Sequence, residues 1–342
     1  MVRVLILIIL LFLSGIASAD PLLYKVEDIP LPGENNRFDY QNLNPLNGLL
    51  YISHMDNDEL IVFDTKTKKA SAFRGFPGAT GVLCVPERER LFVSCSRDRE
   101  IAVLDLKTMK FIAHIAGGLS PDGIAFAPQA GRVFVSDEAG EAVTVMDVIT
   151  GQMVDKISMG GEVGNVQYDS YSRLIMANVQ TTGELVAIDP QTDEIKGRYQ
   201  LPGAHGNHGL LIDSLPRIAF VACEGNNRLL AVDLKSHQIY QDFATGQSPD
   251  VLAFDPTLGL LYVASESGTA TLFKLHGRKL SKLGNFDLPP HAHTVSVDPD
   301  THKAYFPLED MDGHPVLRVM LPAQAVNQPS HALGAPVKIP TH

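Results

Sequence analysis

The chain has 342 residues, 28 Lys and Arg against 39 Asp and Glu, a formal net charge of −11 and no Trp. So acidic a protein repels phosphate backbones unless it carries a basic stripe, and Arg88, Arg90, Arg97 and Arg99 are interleaved with Glu87, Glu89, Asp98 and Glu100. That cluster reads as an ion-paired hairpin, and no nucleic-acid partner is expected.

Met1 to Ala19 comes first, with one early charge, Arg3, an apolar run from Val4 to Leu13, and Ala17-Ser18-Ala19 before Asp20. This is the pattern of a cleaved secretory signal, and the run is too short to span a bilayer. The expected division is therefore a signal peptide over 1–19, one domain over 20–324, and a Pro-rich tail over 325–342. The mature product is expected to be periplasmic in a Gram-negative cell and secreted otherwise, with no membrane span after cleavage.

From residue 37 onward the chain repeats. Seven times a strand centred on Tyr51, Phe92, Phe134, Ile175, Phe220, Tyr262 or Tyr305 is followed by a second apolar strand, with a period of roughly 41 to 46 residues. Five of the second strands end in Asp: Asp64, Asp105, Asp147, Asp189 and Asp233. The sixth and seventh end in Lys274 and Met320. Abundant Gly and Pro for turns, many Val, Ile and Phe, and no long window of helical spacing agree with an all-β fold. The expectation is a seven-bladed β-propeller with four-stranded blades, a fold that runs this long as one domain.

The ring also has to close. Outer strands end in Pro-containing turns such as Phe76-Pro77-Gly78 and Leu201-Pro202-Gly203, whereas the last unit runs into Pro322 with no fourth strand. Tyr24 to Gly33 carries the missing pattern, so the N-terminal strand is expected to complete the last blade, which removes exposed edges.

Three cysteines in an exported protein leave at least one unpaired. Pairing Val85 with Leu91 across Pro86–Arg90 sets Cys84 opposite Phe92 rather than Cys95, and Cys95 and Cys223 occupy equivalent places in units two and five. No disulfide is expected; the three are read as small buried residues.

Phe134-Val135-Ser136, Val145-Met146-Asp147-Val148-Ile149-Thr150-Gly151 and Ser120-Pro121-Asp122-Gly123-Ile124-Ala125-Phe126 resemble the YVTN-type repeat of bacterial seven-bladed propellers, the YncE-like group. The resemblance covers roughly residues 37 to 322. It implies the fold; related propellers serve as surface proteins, binding proteins and occasionally metal-dependent lyases or lactonases, so activity has to be argued from the site.

The repeat supplies a ruler for that site. Stepping back five residues from Asn44, Val85, Ala127, Asp169, Asp213, Asp255 and Asp298 gives Asp39, Thr80, Asp122, Gly164, His208, Asp250 and His293 at the channel mouth. Nearby loops add His205 and His291, and the ends of the next strands add His54, Cys95, Asp137, Asn178, Cys223, Ser265 and Leu308. One residue further on, Glu138, Glu224, Glu266 and Glu309 recur. Imidazole with carboxylate suits Zn²⁺, Mn²⁺, Fe²⁺, Cu²⁺ or Ni²⁺ rather than Ca²⁺ or Mg²⁺. The expected ligands are His208, His293, Asp39, Asp122 and Asp250, with His205, His291 and His54 in second rank. At an inner radius of roughly 7 Å, His208 and His293 would be about 11 Å apart at Cα, a span that permits one shared ion. Ser120-Pro121-Asp122-Gly123 and Ser248-Pro249-Asp250 are also turn formers, in which Asp simply accepts backbone N–H bonds. His114, His237, His276 and His302 are read as surface residues.

Gly203-Ala204-His205-Gly206-Asn207 lacks Walker spacing, so no nucleotide cofactor is expected, and no Ser stands in a nucleophile elbow. The preferred function is an exported binding or scaffold protein that holds a metal ion, small molecule or peptide at the channel mouth, with room for a protein partner on its acidic face. The alternative is a metal-dependent lyase, lactonase or hydrolase in which His205, His291 or one of the Glu acts as general base.

Overall fold

The computed structural model describes residues 21–326, so the expected signal peptide and most of the tail lie outside the described residues. Each repeat unit folds into a four-stranded antiparallel sheet, and seven such sheets make the propeller. Blade 1 covers Gln41–Asn44, Leu49–His54, Glu59–Asp64 and Lys69–Arg74; blade 5, for comparison, covers Asn207–Asp213, Ile218–Cys223, Arg228–Asp233 and Gln238–Ala244.

The repeated Asp has a local cause. In blade 1 the Asp64 carboxylate accepts the N–H groups of Lys66 and Thr67 at 2.8 and 3.1 Å, while its carbonyl accepts the N–H of Lys68, which sits at φ 59°. Asp105, Asp147 and Asp233 build the same turn, and backbone hydrogen bonds hold all four carboxyls below their usual range. Blade 6 needs no such cap because its third strand continues to His276, which faces Lys279 across Gly277.

Packing follows the repeat. The buried apolar residues fall into seven clusters, each filling the seam between two neighbouring blades; Phe134 and Ile175, for example, share the seam of blades 3 and 4. Fully buried side chains such as Phe134, Phe220 and Phe306 each contribute roughly 1.5–3 kcal/mol of burial. A single blade would leave both of its faces wet, so stability resides in the seams.

Closure occurs as the sequence implies. Leu23–Pro30 pairs antiparallel with His314–Pro322, with Leu23 opposite Pro322 and Pro30 opposite Val316. Arg318 fastens the seam with two hydrogen bonds of 2.8 Å to the Asp28 carboxylate. A short helix, Ala323–Val326, follows.

Two local expectations are corrected. Val85 pairs with Arg90 and Cys84 with Leu91, because Pro86–Arg88 forms a tight turn that ends with Glu89 at φ 55°. The register therefore slips by one residue, although Cys84 still does not face Cys95, which lies opposite Ala79. Cys84, Cys95 and Cys223 are all free, and burial pushes each thiol up to about 12. His302 is not a surface residue: it is 4 % exposed, and its Nδ1 lies 2.7 Å from Asp255 Oδ2 across the seam of blades 6 and 7.

Candidate functional site

In blades 2 to 6 the innermost strands carry their mouth residues on β-bulges, whereas Asp39 and His293 precede the innermost strands of blades 1 and 7. In blade 5, Asn207 faces Cys223 and Leu210 faces Val221, so His208-Gly209 contains one residue more than the partner strand offers. Blades 3 and 6 repeat the irregularity at Asp122-Gly123 and Asp250-Val251. A bulge breaks the alternation of faces and re-aims a side chain, here toward the ring axis. The glycines beside these residues allow the inner strands to converge. A Cβ on Gly209 would stand 2.0 Å from the Asp250 carbonyl oxygen, and one on Gly81 2.0 Å from that of Asp122.

Five ring positions meet as one ionic cluster. His208 Nε2 lies 3.5 Å from Asp122 Oδ2 and 3.6 Å from Asp250 Oδ1; His293 Nε2 lies 3.7 Å from Asp39 Oδ1 and 3.8 Å from Asp250 Oδ2. Asp39, Asp122, Asp250, His208 and His293 are all less than 9 % exposed. Asp122 and Asp250 turn from their own loops to the cluster: Asp122 Oδ2 accepts from the Tyr40 hydroxyl at 3.3 Å, and Asp250 Oδ1 takes no backbone N–H. Of the other ring positions, Thr80 donates to the Pro121 carbonyl at 2.8 Å, and Gly164 admits the backbone of His208.

The rim glutamates join from above. Glu138 reaches within 3.9 Å of His208 Nδ1, and Glu266 lies 3.5 Å from His293 Nδ1. Glu224 completes a group with His208 and Asp250, and Asp39, Asp250 and His293 form another; within each group the ligand atoms lie within 4.8 Å of one another. Within the one ionic cluster the two histidines thus belong to different ligand triads, joined through Asp250.

Arg37 and Tyr40 escaped sequence reading. Arg37 Nη2 donates to Glu266 Oε1 at 2.7 Å and lies 3.3 Å from His293 Nε2. The Tyr40 hydroxyl lies 2.8 Å from His208 Nε2 and 3.3 Å from Asp122 Oδ2, and accepts from Asn165 Nδ2 at 3.0 Å. Their only signal was the stretch Arg37-Phe38-Asp39-Tyr40, which stands outside the repeated turn motif. Below them the central channel encloses about 490 Å³, lined by Tyr40, Leu83, Ile124, Asn165, Val166 and Leu252 among others. Tyr40 and Asn165 separate that channel from the charged layer.

Second-rank residues are dispersed. His54 is fully buried and stacked on Phe38 at 4.2 Å, directly under Gly33, and burial lowers its pKa. His205 is exposed, and its carbonyl rather than its ring is engaged, by the Gly225 N–H. His291 is exposed and 3.5 Å from Glu266 Oε2, at the edge of the cluster.

Electrostatics decide the protonation of the metal-free cluster. Burial opposes the charge on His208, but Asp250, Asp122, Glu224 and Glu138 together outweigh it and raise its pKa to about 9. His293 is likewise desolvated, yet the hydrogen bond to Asp39 and the charge of Asp250 raise it to about 9. Burial raises Asp122 to about 8, Glu224 to about 7 and Asp250 above the ordinary carboxylate range, with the histidines opposing and the neighbouring carboxylates reinforcing the shift. Tyr40 is held neutral, first by burial and then by Asp122, Asp250 and Asp39. With His208 protonated, the phenol accepts from His208 and Asn165 and donates to Asp122, which uses its full hydrogen-bonding capacity.

No protein-family model matches the chain, and no curated protein matches it. Solved structures do. U3-55K is 10 % identical with a TM-score of 0.72, over 87 % of this chain and 98 % of that one. The virginiamycin B lyase of Staphylococcus aureus is 10 % identical with a TM-score of 0.72, over 86 % and 98 %. The hydrazine synthase of Kuenenia stuttgartiensis is 15 % identical with a TM-score of 0.71, over 86 % and 96 %. At such identities the likeness defines the class alone: a WD40-like seven-bladed β-propeller.

Proposed function

We propose that this chain is an exported, YVTN-type binding propeller that holds divalent transition metal at its channel mouth through His208, His293, Asp39, Asp250 and Glu224. Export rests on the sequence of residues 1–19, and the YVTN assignment on the repeat. Asp250 is the observation that carries the reading. It is 5 % exposed, lies between two imidazoles, and its Oδ1 has no hydrogen-bond partner. In the metal-free protein the two imidazoles supply the opposing charge at 3.6 and 3.8 Å without a hydrogen bond to Oδ1, and a bound divalent ion would take over that charge while giving the buried oxygen a direct bond. Imidazole and carboxylate in this mixture are the donor set of Zn²⁺, Mn²⁺ or Fe²⁺. The remaining rim charge extends the acidic surface on which a peptide or protein partner would dock.

Elemental analysis of gently purified protein, followed by calorimetric titration with Zn²⁺ and Mn²⁺, tests the reading. Retained or re-bound metal that is lost on combining His208→Ala with His293→Ala is the expected result. Protein that takes up neither ion after chelation and replenishment would overturn it.

A further inference from the structure

We propose that the mouth is a dinuclear centre, with Asp250 bridging two divalent ions: one held with Asp39 and His293, the other with His208 and Glu224. This rests on the metal-binding reading above and extends it from one ion to two.

Three independent observations converge on the bridge. First, the ligand atoms divide into two groups of three, and the residue common to both is Asp250. Second, its two carboxylate oxygens are directed to different histidines, Oδ1 to His208 Nε2 at 3.6 Å and Oδ2 to His293 Nε2 at 3.8 Å. That is the disposition of a carboxylate that gives one oxygen to each of two ions about 3.5–4 Å apart. Third, Oδ1 is buried without a hydrogen-bond partner, so the side facing His208 and Glu224 presents an open acceptor that a second ion would fill.

The charge balance points the same way. Asp39, Asp122, Asp250, Glu138 and Glu224 surround the two imidazoles, while Arg37 is engaged by Glu266 at 2.7 Å. With neutral imidazoles and all five carboxyls ionised, two divalent ions offset four of the five negative charges and one ion only two. His208 Nε2 bonds Tyr40 at 2.8 Å, so coordination through that nitrogen exchanges the bond for an ion, and the phenol keeps Asn165 and Asp122.

Stoichiometry and spin coupling test this. Zn²⁺ titration of chelator-treated protein should saturate at two equivalents; Asp39→Asn and Glu224→Gln should each reduce it to one, and Asp250→Asn should abolish tight binding of both. Mn²⁺-loaded protein should give the spectrum of an exchange-coupled pair by electron paramagnetic resonance, in place of the six-line signal of an isolated ion. Glu224 sits at the partly exposed rim, so Glu224→Gln keeps the experiment readable should Asp250→Asn fail to fold. Saturation at one equivalent with an isolated Mn²⁺ signal would overturn the bridge and leave metal binding standing. No uptake of either ion would overturn both.

Discussion

Metal binding at this mouth should expel protons, and the number follows from the groups that bind. Imidazole coordinates only as the neutral base, yet His208 and His293 are held at about 9 in the metal-free protein. At pH 7.5, about 1.5 units below that value, each is roughly 97 % protonated, so coordination of both releases about two protons. Glu224, at about 7, adds roughly a quarter of a proton at pH 7.5 and nearly a whole one at pH 6. The assay is titration calorimetry with Zn²⁺ in buffers of different ionisation enthalpy, where the slope of observed heat against buffer enthalpy counts protons. About two at pH 7.5, approaching three at pH 6 and falling to roughly half of one near pH 9.5, is the expected series. The combined affinity of the two histidine-ligated positions should weaken on the order of a hundredfold per pH unit between about pH 9 and 7, and more steeply below 7 as Glu224 protonates. A slope near zero at pH 7.5 would refute the reasoning, because it would mean that the histidines either are already neutral or do not bind.

The same groups set the stability of the metal-free protein. His208, His293, Asp122 and Glu224 all have folded pKa values raised above their unfolded ones, so the native state binds more protons between about pH 4.5 and 9 and loses stability as pH rises through that window. Thermal unfolding in chelator should therefore show Tm falling from mildly acidic to alkaline pH, and a Tm that rises over that range would contradict it. Tyr40→Phe deletes the hydroxyl shared by His208, Asn165 and Asp122 and should cost about 1–3 kcal/mol in denaturant titration of metal-free protein; an unchanged midpoint would show that water replaces it freely. Gly209→Ala forces a methyl to within 2.0 Å of the Asp250 carbonyl oxygen. It should cost about 1–3 kcal/mol and weaken Zn²⁺ uptake by displacing Asp250, whereas wild-type affinity would disprove the close approach.

The fold was legible because a propeller writes itself into sequence as a period, and the Asp-capped turns mark that period with a residue whose hydrogen bonds are purely local. The ring of mouth residues was legible for a related reason: counting back from the end of the innermost strand crosses the bulge at the same place in blades 2 to 6, so Asp122, His208 and Asp250 fall at matched positions even though the bulge breaks their alternation. Tyr40 and Arg37 were not legible, because they act by reaching across the channel to other blades, and no spacing along one strand records that reach. His302 shows the converse failure. Its place in a hairpin turn suggested exposure, whereas its partner, Asp255, belongs to the preceding blade. The one-residue slip at Val85 was a matter of turn geometry, decided by Glu89 taking a left-handed conformation.

The closing strand gives the site a temporal order. Arg37, Asp39 and Tyr40 follow directly on Leu23–Pro30, which finds its partner only in His314–Pro322, nearly three hundred residues later. A chain that crosses a membrane N-terminus first delivers these residues early and must leave them unassembled until the last blade arrives. If the chain is exported as proposed, the mouth acquires its full complement of ligands only after translocation is finished, which would confine loading to the compartment where folding ends. Metal taken up there would tie blade 1 to blades 6 and 7 through Asp39, Asp250 and His293. Such a clasp would slow the ring's reopening by making loss of the ion a precondition for unzipping.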